Sequence, residues 1–376
     1  MEKLVYVPMV ADFLHPGHLN ILKRAAELGN VMVGLYTDKA VASYKRLPFM
    51  TYEQRKVIME NIVGVVSVVP QNEKDYEPNL RKYKPAYMVH GTDWKEGPLK
   101  EARARAIAVM AEWGGEVVEP EYTTGISSSD VHAKNQAMGI TPQARQSTLR
   151  RLFSVKPLVR IIDAYSSLCA VAAEKAKYVV PGEEIRFFDG LWVGSSSEAI
   201  VDSYIDFSSH TAIINDVLEC TTRPLIYESG AVSSPDYFAF MVKRLERLGV
   251  SAIIINDKCD LLEKIRKGKQ SLLTKDFMII AGIKGTEKES AQAYIEAGAD
   301  GIMLNPTSKD ELQNFCNYYN ELPARLPLAS ANIPALSEHE LISAGVNMVV
   351  YPNQLQTSAY DGMLKTAEEI LRNGNA

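Results

Sequence analysis

The stretch ADFLHPGHLNILKRA, residues 11–25, leads from an apolar strand, LVYVPMV, into an amphipathic helix. Its two histidines, His15 and His18, stand three positions apart and enclose Pro16 and Gly17. The start of a helix presents backbone N–H groups and the positive end of the helix dipole, and both attract phosphate. Proline suits the first helical turn, and glycine allows a phosphate to approach the backbone closely. This stretch therefore predicts a phosphate site where a strand meets a helix.

Two other interpretations of the histidine pair are a metal site and a helix cap. A catalytic zinc ion needs three protein ligands, and the sequence offers no third ligand at a suitable spacing. A cap explains neither the second histidine nor the glycine. Two more motifs favour phosphate: HGTDW, residues 90–94, ends a strand, and TTGISSSD, residues 123–130, forms a turn that opens a late helix. Three spaced motifs together are far more specific than one.

Composition excludes several classes of protein. The length of 376 residues suggests two domains, and the net charge of −5 without a basic stripe argues against a nucleic-acid partner. No apolar run is long enough to span a membrane, and the first residues lack the pattern of a signal peptide. The four cysteines are scattered without a CxxC pair, which favours neither a disulfide framework nor a zinc cage. We therefore expect a reduced, cytoplasmic α/β protein.

Strands and helices alternate through most of the chain. Over residues 1–135 the strand–loop–helix units predict a Rossmann-like parallel sheet covered on both faces. Residues 136–157 are polar, basic and irregular, and we interpret them as a linker. Over residues 158–376 the repeated β/α units predict a (β/α)8 barrel of the TIM type. In both folds, functional sites form at the carboxyl ends of the strands.

The motifs HPGH and TGISSS together resemble those of the HxGH nucleotidyltransferase family. Within it, TYEQRK, GTDW and GISSS are similar to motifs of the cytidylyltransferases that act on glycerol phosphate and related alcohols. The resemblance runs from about residue 4 to 135. It implies that a phosphate or phosphonate oxygen attacks the α-phosphate of CTP, that pyrophosphate leaves, and that Mg²⁺ is carried by the triphosphate. The fold also serves ATP, so the base stays open.

The resemblance assigns catalytic and nucleotide-binding roles by position. His15 and His18 would stabilise the pentavalent phosphorus. Lys45 or Arg46 would neutralise phosphate charge, and the choice between them stays open, as does the interpretation of both as ordinary loop charges. The residues expected to bind or shape the nucleotide pocket are Asp12, Gly17, Asp93, Trp94, Gly125, Ile126, Ser127 and Ser128.

The acceptor side is less well defined. Arg55 of TYEQRK would hold the acceptor or a phosphate, with a solvated helix residue as the other interpretation. Tyr122 stands where glycerol-phosphate enzymes usually carry arginine before TxGIS, and this departure leaves the acceptor open. Trp94 has a second interpretation as a plain core residue, because tryptophan is usually well buried.

Segments between about residues 156 and 372 resemble the phosphoenolpyruvate mutase and isocitrate lyase superfamily, among them FDGLWVGSS, TTRPLIYES and AYIEAGADGIML. The whole chain resembles bifunctional proteins of phosphonate biosynthesis that join this barrel to a cytidylyltransferase-like domain. Active mutases carry acidic residues in a D-x-D-T-G-type turn and an E-D-K turn for Mg²⁺. They also carry an arginine for the substrate and a mobile K-x-N-S loop.

The barrel of this chain departs from that set. Glu228 stands at the first acidic place and Gly230 at the second; the sequence Asn256-Asp257-Lys258 replaces the E-D-K turn, Gly282 replaces the arginine, and the loop motif is absent. Fewer carboxylates weaken a Mg²⁺ site, and without arginine the substrate loses a bidentate partner. We interpret the mutase site as degenerate. Its residues Glu228, Asp257 and Lys258 have two interpretations: a modest anion or metal site, and an ion-pair network at the barrel mouth. Its remaining candidate residues are Trp192, Ser195, Glu228, Asp257 and Lys258.

These observations predict a CTP-dependent cytidylyltransferase that transfers CMP to a small phosphate or phosphonate acceptor. The barrel would be a pseudo-mutase that supports assembly or acceptor binding. The alternative is a bifunctional phosphoenolpyruvate mutase, an isomerase, and nucleotidyltransferase of phosphonate biosynthesis. A third hypothesis makes the barrel an anion-sensing module that regulates the transferase. By resemblance we expect a homodimer or homotetramer, and neither nucleic acid nor membrane as a partner.

Overall fold

The chain divides into two compact units. The first contains residues 1–138 together with 178–186, and the second contains residues 139–177 together with 187–376. The domain limits expected from the sequence stay predictions. The structure, a computed structural model, describes residues 3–95, 99–120, 140–180, 185–194, 206–257, 259–284 and 287–373.

The first unit contains a five-stranded parallel sheet with the order β3-β2-β1-β4-β5. The central strand β1 is buried from its second residue onward, as expected for a parallel sheet with helices on both faces. The strands are β1 (Leu4–Met9), β2 (Asn30–Tyr36), β3 (Val65–Gln71), β4 (Tyr87–Val89) and β5 (Glu116–Val118). The helices are α1 (Pro16–Ala26), α2 (Asp38–Ala42), α3 (Tyr52–Glu60), α4 (Glu77–Tyr83) and α5 (Lys100–Ala111), with a 3-10 turn at Thr92–Trp94.

The second unit contains a closed barrel of eight parallel strands. A two-stranded ribbon, β7 with β8, comes between the barrel strands β6 and β9 in the sequence, and most of its residues belong to the first unit. The barrel strands are β6 (Val159–Asp163), β9 (Gly190–Gly194), β10 (Leu225–Ser229), β11 (Ala252–Ile255), β12 (Met278–Ile283), β13 (Gly301–Leu304), β14 (Leu328–Ala331) and β15 (Met348–Tyr351), and the ribbon strands are β7 (Lys177–Val179) and β8 (Ile185–Phe187). The helices are α6 (Pro142–Val155), α7 (Ser167–Lys175), α8 (Phe207–Cys220), α9 (Pro235–Leu248), α10 (Leu261–Ser271), α11 (Ser290–Glu296), α12 (Lys309–Asn320), α13 (Glu338–Ala344) and α14 (Gln354–Asn373). The α/β class, the parallel sheet and the TIM-type barrel are confirmed.

Helix α6 lies inside residues 136–157, so the backbone of Pro142–Val155 is helical and not irregular. The interpretation of this stretch as a linker between domains stays a prediction. Thr141 caps the helix, because its hydroxyl accepts a hydrogen bond from the N–H of Ala144. Two polar side chains of α6 are buried: Arg145 donates to the carbonyl of Thr221 and Gln146 to that of Glu246, at 2.8 and 2.7 Å. The polar composition therefore reflects hydrogen bonds within the second unit.

None of the helices in the described part of the chain has the length and apolar character that crossing a bilayer requires.

Candidate functional site

The loop between β1 and α1 places the histidine pair, and a buried carboxylate holds it. Asp12 is 5% exposed and accepts hydrogen bonds from the N–H groups of Phe49 and Met50, both at 3.0 Å. The preceding residue, Ala11, has a φ of +56°, a left-handed conformation that is costly for a residue with a Cβ. The loop is therefore held in one conformation by contacts with a second loop. Asp12, expected to bind the nucleotide, has a structural role in this arrangement.

Arg55 supports the same loop from α3. Its side chain is fully buried and donates to the carbonyl oxygens of Val10 at 2.5 Å and Met50 at 3.3 Å. It also forms an ion pair with Asp38 at 2.6 Å. The structure does not place this guanidinium in the candidate site, because its donors face groups of the protein itself. Its expected role in acceptor binding has no support from this geometry and stays a prediction.

The two histidines form the start of α1. His15 is the N-cap residue, and its Nδ1 accepts a hydrogen bond from the N–H of Gly17 at 3.2 Å. His18 reaches back, and its Nδ1 accepts from the N–H of His15 at 3.4 Å. The two rings lie 4.0 Å apart between centroids. Because both Nδ1 atoms act as acceptors, the neutral rings carry their proton on Nε2, and each ring is a hydrogen-bond donor at that atom.

Both imidazoles are held in the neutral form. Burial, with smaller contributions from the neighbouring His15 and from the charge of Lys45, lowers the pKa of His18 to about 4. Burial also lowers the pKa of His15. The structure thus brings His15, Gly17 and His18 together at one helix start, and the phosphate contacts expected of Lys45 or Arg46 stay predictions.

Trp94 has the buried position that the core interpretation anticipated. Its ring is fully buried and stacks on His90 with a centroid distance of 4.0 Å and an interplanar angle of 6°. Its Nε1 donates to Glu119 at 2.6 Å, and Arg103 binds the same carboxylate through two nitrogens. The Arg103 hydrogen bond lowers the pKa of Glu119 to about 2. These side chains fix the turn that follows β4.

Three residues of this cluster were missed by the sequence analysis. His90 belongs to the quoted HGTDW motif, so its position at a strand end was a usable signal. Glu119, which directly follows β5, and Arg103 of α5 carried no motif, and only the fold brings them to Trp94. The predicted residues that lie outside the described part of the chain are Tyr122, Gly125, Ile126, Ser127, Ser128, Ser195 and Lys258, together with the side chain of Asp93.

The barrel mouth carries a buried acid at the carboxyl end of β10. Glu228 is 8% exposed, and its carboxylate accepts a hydrogen bond from the amide of Asn256. Burial raises the pKa of Glu228 to about 7, although the Asn256 hydrogen bond opposes this change. The same amide occupies the space over Gly282, where an added Cβ would lie 1.7 Å from Asn256 Oδ1. The position of the family's arginine is thus filled by a neighbouring side chain.

Asp257 is bound by its own surroundings. The ammonium group of Lys264, which is 1% exposed, donates to Asp257 at 2.6 Å and to the carbonyls of Val232 and Cys259 at 2.8 Å each. The N–H groups of Val232 and Cys259 also donate to this carboxylate. Burial opposes ionisation, but the hydrogen bond from Lys264 and those from the backbone outweigh it, and the pKa of Asp257 is lowered.

Trp192 belongs to β9, and its ring lies against Gly194 at the end of that strand. An added Cβ at Gly194 would lie 2.4 Å from the Trp192 ring and 2.8 Å from Glu228 Oε2, so these groups pack tightly. The indole N–H of Trp192 is buried without a hydrogen-bond partner among the described residues. The adjoining cavity measures about 20 Å³, which is room for a single water molecule.

The described residues of the mouth do not fit a magnesium ion. A hard dication prefers six or more oxygen ligands, several of them carboxylates. No group of three or more His, Cys, Asp or Glu in the described ranges could hold a metal. Glu228 is bonded to Asn256 and Asp257 to Lys264, so neither carboxylate is directed to an ion.

Each of the two units is similar in sequence to known proteins, and a solved structure shares the fold of the barrel. Glycerol-3-phosphate cytidylyltransferase of Staphylococcus aureus (strain NCTC 8325 / PS 47) is 32% identical over 124 residues, which cover 32% of this chain and 85% of the relative. Phosphonopyruvate hydrolase of Variovorax sp. (strain Pal2) is 24% identical over 269 residues, which cover 61% of this chain and 88% of the relative. The structure of oxaloacetate acetylhydrolase shares the fold, with a TM-score of 0.52 at 18% identity over 61% of this chain and 87% of that one.

Family models match both parts of the chain. The first, described as cytidylyltransferase-like, matches residues 10–134, the part that contains the histidine pair. The second, described as phosphoenolpyruvate phosphomutase, matches residues 149–371, more than half of the chain. The protein therefore belongs to the phosphoenolpyruvate phosphomutase family and joins its barrel to the cytidylyltransferase-like domain of a nucleotidyltransferase.

Proposed function

We propose that the protein is a CTP-dependent cytidylyltransferase that transfers CMP to a small phosphate or phosphonate acceptor and releases pyrophosphate. The observation that carries this proposal is the arrangement at the start of α1. Two neutral imidazoles there have their Nδ1 atoms fixed by backbone N–H groups, which leaves the proton on Nε2 of both. Such preorganised donors stabilise charge that develops on phosphoryl oxygens during the reaction.

The proposed reaction is a direct displacement. An acceptor oxygen forms a bond to the α-phosphorus of CTP while the bond from that phosphorus to the bridging oxygen of the β-phosphate breaks. His15 and His18 donate hydrogen bonds to the non-bridging oxygens, and Lys45 offsets the added charge. Mg²⁺ carried by the triphosphate would neutralise the leaving pyrophosphate. Positioning and charge stabilisation supply most of the rate in such a reaction.

We further propose that the barrel does not perform mutase chemistry. The Trp192 ring packs against Gly194, the Asn256 amide covers Gly282, and Asp257 is paired with Lys264. A trianionic substrate would therefore find neither a bidentate cation nor a metal site among the described residues. These contacts favour the pseudo-mutase hypothesis over the bifunctional alternative.

A role of the barrel in assembly is supported by α14. Apolar side chains recur along this helix at spacings of three and four residues, which places them on one side. They are between 46% and 82% exposed: Tyr360, Met363, Leu364, Ile370 and Leu371. Because solvent-exposed apolar stripes are usually covered by a partner, we propose a homo-oligomer whose second copy covers this stripe. We also propose that the protein acts in the cytoplasm and serves phosphonate metabolism.

The test is pyrophosphate release by the full-length protein with Mg²⁺, comparing CTP with ATP across a panel of phosphorylated and phosphonylated alcohols and amines. We expect release with CTP and at least one acceptor. His18→Ala should lower kcat by roughly 10²–10³-fold, the effect of removing one preorganised donor. His339→Ala is the matched control, because this exposed histidine on α13 lies in the second unit.

Equal loss of activity in both histidine variants would contradict the proposed role of His18. Pyrophosphate release with ATP but not with CTP would show that the nucleotide substrate is ATP and not CTP. Conversion of phosphonopyruvate to phosphoenolpyruvate by the same preparation would reject the pseudo-mutase part of the proposal.

A further inference from the structure

The sheet of the first unit reverses its strand order between β1 and β4. Strands β1, β2 and β3 follow one another to one side, and the chain then adds β4 and β5 on the other side of β1. Strand β1 pairs with β4 in parallel, so their carboxyl ends lie side by side. In open α/β sheets, ligands bind in the crevice outside the carboxyl ends of the strands at such a reversal. The histidine pair follows β1 at this crevice, and the residue that directly follows β4 is His90.

The half-buried ring of His90 is held at both nitrogens and on one face. Its Nδ1 lies 2.8 Å from the carbonyl oxygen of Gly91, which can only accept a hydrogen bond, so Nδ1 carries a proton. Its Nε2 lies 3.3 Å from the hydroxyl of the fully buried Tyr76 and accepts from it in the neutral ring. The ring also stacks on Trp94, and the backbone N–H of the same residue donates to the carbonyl of Val118 at 3.1 Å. These contacts fix both the orientation and the neutral tautomer of the imidazole.

This tautomer is opposite to that of the histidine pair. His15 and His18 accept at Nδ1 and carry the proton on Nε2, where they can donate to a phosphoryl oxygen. In His90 the proton is on Nδ1 and is used by the Gly91 carbonyl, whereas Nε2 is an acceptor. An acceptor does not suit a phosphate oxygen, so His90 lacks the donor that would stabilise charge in the reaction.

The contacts of His90 lead instead to the turn that follows it, residues 91–94. The Gly91 carbonyl at the start of this turn accepts from His90, and Trp94 at its end is bound by Glu119. The stack of His90 on Trp94 joins the two ends directly. Because the Trp94 ring is fully buried, the nucleotide role expected of this motif falls to the turn that the ring anchors.

We propose that His90 is a positioning residue for the nucleotide, which holds residues 91–94 in the conformation that receives the nucleoside part of CTP. Phosphates bound at the start of α1 leave the end of β4 as the facing wall of the crevice, and the nucleoside packs there. This inference rests on the transferase function proposed above. A contact that acts equally on the bound substrate and on the transition state changes KM and leaves kcat unchanged. Variants of His90 and His18 should therefore have opposite kinetic effects.

Steady-state kinetics, together with isothermal titration calorimetry of CTP binding to the full-length protein with Mg²⁺, test this inference. His90→Phe keeps a ring that can stack on Trp94 but loses both hydrogen bonds of the imidazole. We expect it to raise KM and Kd for CTP about tenfold, as the loss of one net hydrogen bond gives, with kcat changed by less than about twofold. His90→Asn returns an N–H near the position of Nδ1 and should bring both constants back to within about threefold of the wild type.

Two controls separate positioning from other effects. His339→Phe makes the same replacement at an exposed histidine of α13, in the second unit, and should leave Kd for CTP unchanged. His18→Ala should lower kcat, as stated above. A His90→Phe preparation that is partly unfolded would show a lower apparent kcat and a lower binding stoichiometry, with KM and Kd unchanged, so loss of folded protein has a different signature.

The inference is overturned if His90→Phe binds CTP as tightly as the wild type, if it lowers kcat with KM unchanged, or if His90→Asn is as weak as His90→Phe. Wild-type protein that binds CTP but releases no pyrophosphate with any acceptor would reject the proposed transferase, and the Kd values would still decide the role of His90. The same measurements with ATP decide that role if ATP proves to be the nucleotide. Wild-type protein that binds neither nucleotide would overturn both proposals.

Discussion

The start of α1 and the mouth of the barrel both lie at the carboxyl ends of parallel strands, but they use their polar side chains differently. At α1 the buried charges, Asp12 and Arg55, bind neighbouring loops and hold the histidines in place. At the barrel mouth the acidic groups, the buried Glu228 and the partly buried Asp257, bind groups within the mouth itself. The same kind of residue thus supports a site from outside in one region and occupies the site in the other.

The two regions also differ in what the protonation state of their buried titratable side chains allows. Burial favours the neutral form of both His18 and Glu228, but the consequences are opposite. A neutral imidazole with its proton on Nε2 is a donor suited to phosphate. A protonated carboxyl is a poor ligand for a cation, so burial at the mouth removes the charge that a metal would need.

The largest effect is expected for Arg55→Met, which tests whether Arg55 supports the loop between β1 and α1. If Arg55 supports the loop, the variant leaves Asp38 and two carbonyl groups without their partner. The free energy of unfolding of the first unit should then fall by about 3–5 kcal/mol, as found when one partner of a buried ion pair is removed. Chemical denaturation followed by circular dichroism measures this change.

Arg24→Met is the control, because Arg24 and its partner Glu27 are 51% and 62% exposed and such pairs contribute about 0–1 kcal/mol. A stable Arg55→Met variant with a raised KM for the acceptor would contradict the supporting role. That result would instead support the acceptor-binding role that the sequence predicts for Arg55.

The fold could be predicted because its signals are periodic and local. Apolar strands alternate with amphipathic helices, and each pattern is complete within about twenty residues. Helix α6 escaped prediction because half of its buried residues are polar: beside Leu149 and Leu152, Arg145 and Gln146 are bonded to carbonyl groups that the sequence does not reveal as neighbours. Hydrophobic periodicity is weak in a helix whose buried face mixes apolar and hydrogen-bonded polar side chains.

The candidate site could be predicted only in part. The histidine pair follows from residue type and spacing within one turn. The roles of Asp12 and Arg55 do not, because a charged residue near a phosphate site suits both binding and support, and only their partners distinguish the two. Glu119 reaches Trp94 from the loop after another strand, and the contact between Asn256 and Gly282 joins two strand ends. These are tertiary contacts that no local pattern contains.

Glu228→Gln tests the protonation of the buried acid at the barrel mouth. A carboxyl whose pKa is raised in the folded state stabilises the fold fully below its unfolded pKa, near 4.5, and this contribution is lost as the pH rises through about 7. The second unit should therefore lose up to about 3 kcal/mol of stability between pH 5 and pH 8. The variant keeps an oxygen for Asn256 and should lack this loss.

Thermal unfolding at a series of pH values measures the difference, with the exposed Glu263→Gln on α10 as the control. A wild-type stability that rises across this interval, or a variant with the same pH dependence as the wild type, would show that Glu228 is not the group that titrates.

The smallest effect is expected for variants of two adjacent exposed cations, Lys45 and Arg46, which distinguish the one that contacts phosphate. The charge of Lys45 contributes to the lowered pKa of His18, so Lys45→Ala should lower kcat/KM for CTP by about 10–100-fold, the effect of one charge-assisted hydrogen bond. Arg46→Ala should lower it less than about threefold, as a general change in surface charge does. Initial rates of pyrophosphate release at two salt concentrations measure both effects.

A larger loss in Arg46→Ala would assign the phosphate contact to Arg46, and the α1 region would then hold its cation through a loop movement on substrate binding. Equal small losses would mean that the histidines and the helix start stabilise the phosphate without either side chain.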